Sequence, residues 1–76
     1  MRTEKSLCDL CVGNRAFVIR LSATGCLRRR LLDVGLIPGS TVECVGISPL
    51  GDPRAYFVRG SQIAIRNKDA KDIIIE

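Results

Sequence analysis

The chain contains no histidine and no tryptophan, and its only rings are Phe17, Tyr56 and Phe57. Each scarcity closes off a class of function. Without histidine there is no commonest general base, no commonest metal ligand, and no ordinary partner to activate a serine or cysteine nucleophile. No G-x-x-x-x-G-K-[ST] phosphate loop occurs. Asp33 falls near a helix end and Asp52 in a turn, so no carboxylate pair stands at a spacing suited to acid–base work. Catalysis is therefore not expected. So few rings also argue against a base-stacking platform for single strands and against an aromatic groove for Pro-rich peptides.

Long apolar runs are missing too. Nothing approaches the ~20 residues needed to cross a bilayer, so no membrane insertion is expected. Residues 1–12 include Arg2 and Lys5 but no continuous apolar stretch of the kind an export signal needs. The expected compartment is a reducing one, where the cysteines stay thiols. What is present is an ordinary folded composition, 46% apolar and 26% charged, without low-complexity tracts. A single domain of this size buries about 60% of its unfolded surface and keeps a few kcal/mol of net stability. The net charge of +4 favours an acidic partner without selecting one.

Residues 15–21 alternate as a strand, with Phe17, Ile19 and Leu21 expected on the core face and Val18 and Arg20 opposite. Thr24 is a possible N-cap for a short helix over Cys26 to Val34, whose apolar stripe is Leu27, Leu31 and Val34. Gly35 stands where a left-handed C-terminal residue is wanted, and Pro38-Gly39 is turn chemistry. Thr41 to Ile47 suits a strand with Val42 and Cys44 inward. Arg54 to Arg59 and Gln62 to Arg66 read as two more strands, followed by a helical turn capped by Asn67 and a last strand, Ile73 to Ile75. The triple isoleucine puts apolar side chains on both faces, which implies cover on both, from the chain itself or from a second copy in a weak homo-oligomer. The result is a mainly β chain of about five short strands that reduces its exposed edges by curling into a small barrel. Residues 1–6 are read as an N-terminal tail and residues 7–76 as the domain.

Three features carry possible chemistry. Cys8-Asp9-Leu10-Cys11 is a C-x-x-C knuckle able to give two thiolates to zinc or iron, but a structural zinc site takes four ligands and Cys26 and Cys44 are isolated. Cys44 behaves as a small core hydrophobe on this reading. Unremarkable thiols and a dithiol redox pair are the other readings of the motif. Arg28, Arg29 and Arg30 fan out by about 100° each on a helix, giving either a solvated surface or an electropositive corner that meets a partner. The loop Leu50-Gly51-Asp52-Pro53 is a turn by composition, and an apolar Leu50 at its tip is the kind of anchor an interface uses.

The run Leu27 to Ser40 (LRRRLLDVGLIPGS) and the run Ser48 to Pro53 (SPLGDP), joined by Val58-Arg59-Gly60 and Ala64-Ile65-Arg66, resemble the FeoA family of bacterial ferrous-iron transport proteins. The resemblance spans about residues 7 to 76. It implies an SH3-like β-barrel with a short helical insertion after the first strand. It also implies a cytoplasmic accessory protein that requires no cofactor, held at the inner face of the plasma membrane through a FeoB-type transporter. The contact could lie on the transporter's cytosolic GTPase portion or on its membrane portion. SH3-like domains of this kind also close the chains of metalloregulators behind DNA-binding domains; the free-standing form predicts no DNA binding. Leu50 to Pro53 and Arg28 to Arg30 are the contact candidates, and Cys8 and Cys11 the metal candidates. The competing functions are a metal-binding module using those two thiols and a basic barrel that binds RNA.

Overall fold

The structure is a computed structural model that describes residues 5–76. These residues form strands β1 (Lys5–Ser6), β2 (Arg15–Leu21), β3 (Thr41–Ile47), β4 (Arg54–Val58), β5 (Ser61–Ile65) and β6 (Ile73–Ile75). A 3-10 turn (Leu7–Asp9) follows β1, helix α1 (Gly25–Asp33) follows β2, and the single-turn helix α2 (Asn67–Ala70) precedes β6. The strand order is β1-β6-β2-β3-β4-β5, with every pairing antiparallel. Lys5 and Ser6, placed in the tail by the sequence reading, pair with Ile75 and Ile74, which raises the strand count from about five to six.

β2 holds the two halves of the sheet together. Its first part pairs with β3 and its second with β6, and its register shifts between Val18 and Arg20. A second shift lies in β3 between Cys44 and Gly46. Such irregularities bend a strand and increase its twist. They curl the sheet around a core that includes Leu7, Leu10, Val18, Leu31, Leu36, Val42, Tyr56, Val58, Ile73 and Ile75.

The sequence reading set the phase of β2 the wrong way. Ala16 and Val18 are buried, whereas Phe17 is 57% exposed and Ile19 43% exposed. Ala16-Phe17-Val18-Ile19 is apolar at both phases, so alternation alone does not say which phase faces in. The pairing decides, because Ala16 stands opposite Val42, which is fully buried on the inner face of β3. In β3 the reading holds, with Val42 and Cys44 inward and Val45 and Ile47 outward.

Helix α1 begins one residue earlier than expected, at Gly25, and Thr24 occupies the N-cap without a side-chain hydrogen bond. At the other end Gly35 takes φ +107. The Gly35 N–H donates to the Leu32 carbonyl and the Leu36 N–H to the Leu31 carbonyl, both at 3.0 Å. This is the Schellman arrangement, sealed by burial of Leu31 and Leu36. In the β4–β5 hairpin Arg59 and Gly60 both have positive φ, 51 and 84, between paired Val58 and Ser61, as a two-residue primed turn requires.

Asn67 is not the cap of α2. Arg66 holds that position, and the Asn67 N–H is instead satisfied from outside the helix, by Asp52. All three isoleucines of β6 are buried, so the chain itself covers both faces of that strand.

Candidate functional site

The C-x-x-C segment is a rigid turn. Leu7 and Leu10 enter the core and leave Cys8 half-buried and Cys11 exposed. The Ser6 N–H donates to Asp9 Oδ2 at 3.0 Å and the Leu10 N–H to the Leu7 carbonyl at 3.1 Å. Two side chains of β4 bind the turn from below: the Tyr56 hydroxyl donates to the Leu7 carbonyl at 3.3 Å, and Arg54 Nη1 to the Leu10 carbonyl at 3.0 Å. The Gly13 N–H donates to the Cys44 carbonyl at 2.7 Å, and the Cys44 N–H to the Asn14 carbonyl at 3.1 Å. Tyr56 is fully buried, and burial is the main reason its pKa is pushed up to about 12. Cys44 nearby pushes the same way, while Arg54 opposes. The phenol is thus a neutral donor whose work is structural.

As metal ligands these thiols are incomplete. All four cysteines are free, with Cys26 exposed on α1 and Cys44 in the core, where its Sγ faces the Gly46 carbonyl at 3.9 Å. Cys8 Sγ lies 2.9 Å from the Ser6 hydroxyl. Among the described residues no group of three or more Cys, Asp or Glu side chains converges to hold an ion. Within one chain the donor set falls short of the four that a structural zinc site takes.

The loop between β3 and β4 is fixed at its base and open at its tip. Asp52 Oδ1 accepts from the Asn67 N–H at 2.9 Å, and Asn67 Nδ2 donates to the Gly51 carbonyl at 3.2 Å. The Gly51 N–H closes the turn onto the Ser48 carbonyl at 2.8 Å, with Gly51 at φ +84 and a cis peptide bond between Asp52 and Pro53. Leu50 is left 94% exposed at the tip of this anchored loop.

The arginine run divides as helix geometry requires. Arg28, Arg29 and Arg30 are all exposed. Arg29 and Arg30 border a depression with Cys26 and Asp33, while Arg30 also reaches a groove between α1 and β5 that ends at Arg66 and Asp69. Asn67, which grips the Leu50 loop, lies in that same 66–69 segment. Arg30 and the Leu50 loop therefore both adjoin the start of α2.

Sequence reasoning missed one surface. Phe17 and Phe57 (57% and 44% exposed) stand on the outer face of the sheet, with Val45 also exposed. Arg15 and Glu43 pair there at 3.3 Å, in a shallow depression that Phe57 and Arg59 also line. The signal was the apolar content at both phases of residues 16–19, which a single-faced strand does not need.

A small antiparallel barrel with an inserted helix, a rigid surface turn and an anchored hairpin is the SH3-like class of binding domain. The model of the FeoA domain matches residues 5–76, and the chain belongs to the FeoA family, which takes part in ferrous-iron transport. It is 33% identical over 70 residues (92% of this chain) to an Fe(2+) transport protein A/Fe(2+) transporter FeoB fusion protein of Porphyromonas gingivalis. It spans only 8% of that relative's length. The FeoA-like protein of Clostridium acetobutylicum superposes with a TM-score of 0.88 at 30% identity, covering 100% of this chain and 88% of that one. The FeoA of Stenotrophomonas maltophilia complexed with zinc, described as an SH3 domain protein, gives a TM-score of 0.84 at 26% identity, covering 95% and 89% of the two chains.

Proposed function

We propose that the chain is a non-catalytic, cytoplasmic accessory protein of ferrous-iron transport that regulates a FeoB-type transporter by docking on its cytosolic side. The observation that carries this is the Porphyromonas gingivalis relative, in which the counterpart of this domain is joined to the transporter in one chain. Covalent joining holds two modules at high effective concentration and is useful where they act on each other. The Stenotrophomonas maltophilia protein, described as a candidate activating factor of ferrous-iron transport, points the same way. The surface that fits docking is the loop Leu50 to Pro53, whose leucine has no intramolecular use, with Arg28 to Arg30 as the second contact candidate, of which Arg30 shares a groove with Arg66. The test is a titration of the isotope-labelled chain with the cytosolic domain of its own organism's transporter, followed by NMR. Saturable shifts around residues 50–54 and 28–30 support the reading; their absence refutes docking on that domain.

A second reading has zinc or iron held by Cys8 and Cys11. It is supported by the zinc complex of the Stenotrophomonas maltophilia relative. Here the two thiols would need ligands from another copy, so metal binding should be accompanied by dimerisation. Stoichiometric metal that disappears in Cys8→Ser supports it; a metal-free monomer after loading retires it.

A further inference from the structure

β5 ends the sheet. Among the described residues it pairs only with β4, so its far edge presents the N–H and C=O groups of alternate residues without a strand partner. Proteins usually guard such an edge with a charge, a proline, a bulge or a covering helix; β5 reads Ser-Gln-Ile-Ala-Ile, so the strand itself carries none of the first three. Helix α1 stands alongside and leaves a groove of about 210 Å³ between the two. That is smaller than the ~300–1,000 Å³ typical of small-molecule sites, and suits one or two aliphatic side chains instead.

The groove's chemistry is specific. Its floor is the stripe of α1, Leu27, Leu31 and Val34, facing Ile63. The stripe is only partly covered, since Leu31 is buried while Leu27 is half-buried and Val34 is 42% exposed. Its rim carries Arg30 and Arg66, with Asp69 as the single acidic member. The one ion pair among the described residues, Arg15–Glu43, uses neither arginine.

We propose that this groove takes an extended segment of a partner protein, aliphatic at alternate positions and acidic between them, added as a strand to the open edge of β5. Main-chain hydrogen bonds to β5 would give affinity. The floor would select an aliphatic side chain, and Arg30 and Arg66 would select the acidic flanks. This mode differs from docking through Leu50 and does not depend on which protein supplies the segment.

The test uses the full isotope-labelled chain and the peptide acetyl-Glu-Val-Asp-Leu-Glu-Val-amide, with acetyl-Lys-Val-Lys-Leu-Lys-Val-amide as control. Saturable shifts and slowed amide exchange over residues 61–66, with shifts at 27–34, are the expected result with the acidic peptide alone. Val34→Asp and Arg66→Glu, both at exposed positions, should each weaken binding by about tenfold or more, equivalent to about 1.4 kcal/mol, with thermal unfolding nearly unchanged. Equal response to the two peptides, shifts that avoid β5, or full affinity in both variants would overturn the proposal. So would a β5-to-β5 dimer of the free chain in sedimentation, which would assign the edge to a second copy.

Discussion

Gly35 and Arg59 meet so closely that a Cβ on Gly35 would lie 2.7 Å from Cδ of Arg59. Gly35 ends α1 and Arg59 is the first residue of the β4–β5 turn, so the contact locks the inserted helix against a hairpin far away in sequence. Both residues have positive φ, Gly35 at +107, which glycine adopts freely, and Arg59 at 51, where a side chain is strained. Gly35→Ala combines a left-handed alanine with a steric conflict, and should cost about 1–3 kcal/mol. At about 4–8 °C per kcal/mol for a domain of this size, thermal unfolding reads this easily. In an Arg59→Ala background the steric part should vanish and the backbone part persist. Strict additivity in that double-mutant cycle would show that the two residues do not press on each other.

The same contact explains what the sequence made legible. The glycines of LLDVGLIPGS and of the Val58-Arg59-Gly60 run mark turns whose positive φ few other residues adopt, so helix end, hairpin and family were all readable. Cys44 was placed correctly because Val42 and Cys44 share a phase that is apolar on a strand whose other phase includes Glu43. The phase of β2 was not readable, because both of its phases are apolar and only the pairing of Ala16 with Val42 decides. The capping of α2 was hidden for another reason. Its acceptor, Asp52, lies 15 residues away, and local rules see only neighbours. The exposed Leu50 was legible as a loop tip; the groove beside β5 was not, since it exists only once α1 and β5 are brought together.

Asp52 spends its carboxylate on the loop itself. Asp52→Ala should remove the acceptor for the Asn67 N–H and cost about 0.5–2 kcal/mol, as loss of a helix cap does. Asp52→Asn keeps an acceptor oxygen and should cost less. Relaxation measurements on residues 49–53 should show new motion in the alanine variant only. If both variants remain as stable and as rigid as the parent, the Asp52–Asn67 bond does not position Leu50.

Tyr56 gives the fold an alkaline limit. It is the sole tyrosine, so its ionisation can be followed directly in ultraviolet absorbance. Its folded pKa of about 12 lies above the ordinary value of 10.0, so the stability linked to it is complete below pH 10 and is lost as pH rises from there towards 12. Denaturant unfolding of the parent should therefore weaken more steeply over that window than that of Tyr56→Phe. At neutral pH the variant should be less stable by about 1 kcal/mol, for the lost bond to the Leu7 carbonyl. Identical alkaline slopes would mean that the phenol is not held neutral by the fold.

Leu50 separates docking from folding. At 94% exposure it loses nothing on truncation that the monomer needs, so Leu50→Ala should leave unfolding within about 0.5 kcal/mol of the parent. An apolar anchor seated in a partner's pocket is worth more than about 1 kcal/mol, so the same change should weaken binding to the transporter's cytosolic domain several-fold, chiefly by faster dissociation. Arg29→Glu should act differently. A rim charge steers encounter, so reversing it should slow association and flatten the salt dependence while leaving dissociation nearly unchanged. Measured association and dissociation rates at two ionic strengths distinguish these behaviours. If neither variant changes either rate, the transporter is gripped elsewhere, and the outer face bearing Phe17 and Phe57 becomes the surface to vary next.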